Sequence, residues 1–191
     1  LKPKYAQQGI TLVRGLRPAI RFTYFNMDDP VVGGYAKEKI ALRRAIGMAY
    51  NTDEETRVVR QGQALPATQM IAPNLIGHDP TFDGHAKFDL PAAKALLDKF
   101  GYVDRDGDGW RELPDGKPLT LQIASSISAF DRQLDELWKK SLTALGIRTD
   151  FVKQKFPDLL KQARAGQLQM WGLANTAGSP PGFGVMGLLY G

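Results

Sequence analysis

Cysteine is absent from the 191 residues, which excludes disulfides, thiolate metal sites and thiol nucleophiles together. Histidine is scarce, with His78 and His85 alone. No run of about 18 apolar residues occurs, so no segment reads as a membrane-spanning helix. The first residues lack the charged, apolar and small-residue order of a signal peptide. Internal repeats and low-complexity tracts are missing, as are a Gly-x-Ser-x-Gly elbow, a phosphate-cradling loop and a dinucleotide fingerprint. No nucleophile or base can be nominated for catalysis, and the chain reads as a non-enzyme with no cofactor and no resident metal.

The composition that remains is that of a globular protein, 43% hydrophobic and 24% charged, and the length suits one domain or one large lobe. Lys and Arg number 25 against 20 Asp and Glu, a net charge of +5. The positive residues are scattered. An early group at Lys2, Lys4, Arg14, Arg17 and Arg21 has no aromatic interleaving and no docking element for nucleic acid, so the excess is expected to be solvated surface. Leu1 is no natural start and the tail stops in mid-pattern; the expectation is a piece of a longer protein.

Residues 1–19 mix charge, Gly and Pro without a period and read as a connecting segment, with residues 20–191 forming one lobe. Ile20, Phe22 and Tyr24 alternate in a strand over 20–25, ended by a turn-forming cluster at 26–30. Leu42, Ala45, Ile46 and Ala49 share a helical face within 37–50. A second, short helix is expected to start at Thr52 with Glu55 completing a capping box, and to end at Gly62. Residues 63–87 carry three prolines and no period, which is long for a plain connection and suggests a functional or partner-covered loop. Asp89 caps a helix with Pro91 in its first turn and Gly101 at its end. Beyond it, strands over 119–123, 147–152 and 168–173 alternate with helices over 130–145 and 156–165. This order implies an α/β fold with parallel neighbours covered by helices.

Three features carry possible chemistry. Asp104, Asp106, Asp108 and Gly109 fill positions 1, 3, 5 and 6 of a calcium loop, with Asp115 at position 12. An EF-hand continues into a helix, whereas Gly116-Lys117-Pro118 leads into a strand, so a plain acidic turn fits better. His78 and His85, with Asp79, Asp83 and Asp89 nearby, lack the spacing of a metal-ligating pair. A metal-assisted hydrolase using the acidic turn and these histidines is the alternative function. The third feature is the segment 171–183, rich in Gly and Pro, which follows a strand's carboxyl end, where open α/β sheets gather ligands. Trp171 there offers a flat apolar surface or simply fills core, and Asn175 offers a donor and an acceptor.

Several segments in fixed order resemble the family 5 extracellular solute-binding proteins of ABC importers, the peptide, oligopeptide and nickel-binding group. They are Phe25-Asn26 at a strand end, the arginine-bearing stretch 39–51, the loop 62–73, Asp79-Pro80, 88–97 with Gly101-Tyr102, the acidic turn from Asp106 to Lys117, and Trp171-Gly172. The resemblance implies a type II periplasmic-binding-protein-like lobe, with a mixed, mostly parallel sheet and helices on both faces. It also implies a periplasmic location, a missing first lobe of the same protein, a small solute or peptide held between the lobes, and an ABC transporter permease as partner. Asn26, Trp171 and Asn175 are the expected ligand-binding residues. Many peptide-binding members carry an aspartate in the loop after the tryptophan and glycine, where residues 173–178 hold no carboxylate.

Overall fold

The computed structural model describes residues 3–13, 15–84 and 87–176. His85 and the part of the ligand-loop segment beyond Thr176 lie outside the described residues. Four strands form one sheet: β1 (Ala19–Phe25), β2 (Thr120–Ser126), β3 (Arg148–Gln154) and β4 (Met170–Thr176). Their order is β1-β4-β2-β3. β2 runs parallel to both β3 and β4, while β1 is antiparallel to β4 in a seven-pair ladder from Ala19↔Thr176 to Phe25↔Met170.

The helices are α1 (Pro3–Ala6), α2 (Lys37–Ala49), α3 (Thr52–Glu54), α4 (Leu90–Lys99), α5 (Ala129–Leu145) and α6 (Phe156–Arg164). Helix α1 is a single turn, and the described residues from it to Ala19 are exposed. Helix α3 runs on as one π-helical turn over Glu55–Val59, a local widening often found near functional sites. Its cap differs from the sequence expectation: Asn51 Oδ1 accepts the Glu54 amide at 2.9 Å, so Thr52 is already the first helical residue. The Glu55 carboxylate turns instead to Tyr50 and Arg60. The other boundaries follow the residues that encode them. Asp89 accepts the Ala92 amide to start α4, Ser128 accepts the Asp131 amide to start α5, and Gly146 ends α5 at φ 76°, a left-handed conformation that glycine adopts without a Cβ clash.

Alternation along β2 sets the layers. Leu121 and Ile123 enter the larger core with Leu42, Ile46, Leu97 and Leu142, beneath α2, α4 and α5. Ala124 faces the opposite side, where Leu159 of α6, Leu168 and Trp171 make a smaller core. Each fully buried Leu or Ile contributes about 1.5–3 kcal/mol from apolar burial. β2 and β3 are parallel neighbours, and the helices that follow them, α5 and α6, cover opposite faces. A topological switch point therefore lies at the carboxyl ends of these strands, the place where open α/β sheets form a ligand crevice.

Candidate functional site

The carboxyl edge of the sheet collects Ser126 of β2, Gln154 of β3, Asn175 and Thr176 of β4, and the start of the antiparallel β1 at Ala19 and Ile20. Directly after β2 and β3, the link at Ile127 and the first turns of α5 and α6 carry large apolar side chains open to solvent: Ile127 is 69% exposed, Phe130 38% and Phe156 52%. Phe156 rests on Trp171, with ring centroids 5.5 Å apart. Trp171 is only 2% exposed, so the open choice between ligand platform and core resolves to core: it supports Phe156 from beneath. Trp171 and Asn175 both sit within β4 and not in a loop, because pairing with β1 carries the strand past the apolar run to Thr176.

On the face covered by α5, Phe130 lies between two guanidinium groups, Arg21 at 5.5 Å and Arg60 at 5.4 Å from its ring centre. Arg21 donates to Asp131 at 3.2 Å, and the other Asp131 oxygen is held by the Ser128 hydroxyl at 2.7 Å. Arg60 is clasped by Glu55, with both Nε and Nη2 2.6 Å from Oε1. Glu55 also accepts the Tyr50 hydroxyl at 2.7 Å, and the Tyr50 ring packs 4.2 Å from Trp138. Burial, and then the Glu55 carboxylate beside it, push the Tyr50 phenol far above its ordinary range, so it stays a proton donor.

Asn26 does not join this group. Antiparallel β1 ends at the amino edge of the sheet, six residues from its start and about 20 Å away at the rise of an extended strand. Its side chain donates to the Gly166 carbonyl at 2.9 Å and accepts the Asp28 amide at 3.0 Å. That geometry sets Asn26 at the opposite end of the sheet from Asn175, where it fastens a loop. Arg21, which does stand at the carboxyl edge, went unrecognised because in sequence it is one of five scattered early cations.

The acidic turn brings Asp104, Asp106, Asp108 and Glu112 together, with ligand-capable oxygens all within 4.8 Å of one another. Asp115 is not among them; it pairs with Lys117 at 2.8 Å. Asp104 accepts the Gly107 and Gly109 amides, Asp106 the Asp108 amide and Asp108 the Trp110 amide. Asp108 is also paired with Arg148, and buried Glu112 accepts the Arg105 amide at 2.7 Å. These bonds fold the turn, as expected of Asp and Gly there. His78 Nδ1 lies 2.9 Å from the Ile71 carbonyl, and among the described residues no metal-ligating group includes it.

A mixed sheet, parallel along β3-β2-β4, with helices on both faces defines the class: the fold is that of type II periplasmic binding proteins. The model of the bacterial extracellular solute-binding proteins, family 5, matches residues 1–191, and the chain belongs to that family. Di/tripeptide-binding protein 2 of Pseudomonas aeruginosa is 28% identical over 169 residues, which are 86% of this chain and 28% of that protein. The oligopeptide-binding protein AppA of Bacillus subtilis, in complex with a nonapeptide, superposes with a TM-score of 0.75 at 16% identity, covering 84% of this chain and 32% of that one. NikA of Brucella suis in complex with Fe(III)-EDTA gives 0.71 at 23% identity, covering 89% and 33%. The chain thus spans a third or less of the length of these relatives.

Proposed function

We propose that this chain is one ligand-gripping lobe of a periplasmic receptor that captures peptides or related small solutes and delivers them to an ABC transporter permease. The sheet's carboxyl edge is its half of the cleft, and a first lobe of the same protein supplies the other half. Binding proceeds by closure, with the closed state stabilised only by contacts made in it. No covalent chemistry takes place.

The observation that carries this reading is that exposed Ile127, Phe130 and Phe156 follow the carboxyl ends of β2 and β3, at the same sheet edge to which β4 carries Asn175. Exposed apolar groups beside a few fixed polar ones are what a buried ligand requires. Asn175 is the proposed hydrogen-bonding residue and Trp171 its neighbour's support, while Asn26 belongs to the frame. The naming of the Pseudomonas relative favours short peptides.

Calorimetry of the full-length receptor with di- and tripeptides, paired with small-angle scattering, tests the proposal. One-to-one binding with a fall in radius of gyration is expected. Turnover of peptide or ester substrates, or activity dependent on metal at His78 and the acidic turn, would defeat it.

A further inference from the structure

We infer that Arg21 is a specificity-determining residue of the cleft and that it receives a carboxylate of the ligand; this rests on the receptor reading above. A guanidinium carries five N–H donors in a rigid fork, and among the described residues Arg21 makes one hydrogen bond, from Nη2 to Asp131. Among the described residues the remaining donors have no hydrogen-bond partner. Arg60, the other guanidinium against Phe130, is the internal contrast, since Glu55 engages both its Nε and its Nη2.

The surroundings of Arg21 hold its fork in one place and leave one side open. Gly172 lies beneath it, and a Cβ there would stand 3.2 Å from Nη2 and 3.7 Å from Nε. Glycine therefore leaves room for the guanidinium to lie over β4. Phe130 flanks it, and Asp131 anchors one nitrogen. The strand partner of Arg21 is Ala174, an exposed residue next to Asn175 at the edge. The Arg21 side chain is 31% exposed, enough to be reached, yet partly removed from water before any ligand arrives. Planar, two-point pairing with a carboxylate is the interaction for which such a fork is best shaped. Asp131 offsets part of the charge but shares its second oxygen with Ser128, so one acceptor faces several donors.

A merely structural Arg21, tying α5 to β1, would affect stability and leave ligand charge preference unchanged. Affinities of trialanine, trialanine amide and the uncharged maltohexaose for the full-length receptor separate the cases. The wild type is expected to bind the free acid more tightly than the amide by about tenfold to a hundredfold, the range of a charge-assisted hydrogen bond. R21Q is expected to abolish that ratio, with far-ultraviolet circular dichroism confirming the fold. Equal wild-type affinity for acid and amide overturns the assignment and leaves the receptor reading standing. Binding of maltohexaose alone does the same. A ratio lost in R132Q, which removes an exposed cation from the same first turn of α5, but kept in R21Q also overturns it. Binding of none of the three probes removes the peptide-receptor reading and the Arg21 assignment with it.

Discussion

The two ends of the sheet carry similar residues in different states of engagement. At the amino end polar side chains are closed on the protein itself. Asp29 accepts the Val31 and Val32 amides at 2.8 and 2.9 Å and the Gln169 amide group at 3.2 Å, while Gln169 in turn accepts the Gln122 amide at 2.8 Å. Lys39 and Arg43 clamp the same loop through the carbonyls of Val31 and Gly34, both at 2.9 Å. At the carboxyl end, Arg21 makes one side-chain hydrogen bond among the described residues, and Ile127, Phe130 and Phe156 stand in solvent. Satisfied groups give rigidity, and unsatisfied or exposed ones mark where something else is to fit. The contrast teaches that an edge's function shows in what its side chains leave undone.

The comparison breaks most sharply at Asp29. Asp29→Ala removes three acceptor contacts at once, and urea denaturation should show a loss of about 3 kcal/mol, with ligand affinity of the folded protein unchanged. Tyr50→Phe deletes the hydroxyl donor to Glu55 while keeping the stack on Trp138; a loss of about 1–2 kcal/mol is expected by the same measurement.

Phe156→Ala should sharpen the difference from the other side. It removes a half-exposed ring, so stability should fall by about 1 kcal/mol or less, while peptide affinity measured by calorimetry should fall by about tenfold. An unchanged affinity would show that this edge is not the ligand wall.

The smallest effect is a control in the proline-bearing loop, outside the strands of the sheet. The Thr81 hydroxyl, and then its amide, donate to Asp79 and hold its carboxyl below the ordinary 3.8. A folded-state value below the unfolded one gives a contribution present above the ordinary carboxylate range and lost as pH falls through the folded value. Thr81→Val should raise the Asp79 midpoint toward 3.8 in a carboxyl-carbon NMR titration and leave ligand binding unaltered.

Much of the fold was legible where short-range chemistry decides it. The Asp89 cap, Pro91, and the glycines at 101 and 146 mark helix ends that the structure keeps. Alternation in 20–25 found β1, and the strand–helix alternation beyond residue 119 gave the parallel part of the sheet. What escaped was set by partners distant in sequence. β4 reaches Asn175 and Thr176 because Ile20 and Ala19 pair with them, and β3 reaches Gln154 because Ser126 does. The direction of β1 sends Asn26 to the amino edge and Arg21 toward the carboxyl edge, and nothing local in 20–26 encodes that choice. Asn51 took the cap expected of Thr52, one residue off, since both side chains offer a suitable oxygen. In the acidic turn Glu112 stands where Asp115 was expected, because Asp115 folds onto Lys117.

Hydrogen exchange on the full-length receptor, with and without saturating trialanine, tests the central assignment most directly. Protection should rise at residues 127–131, 155–156 and 174–175, and stay constant at residues 26–34. Protection gained at residues 26–34, with none at the carboxyl edge, would contradict it.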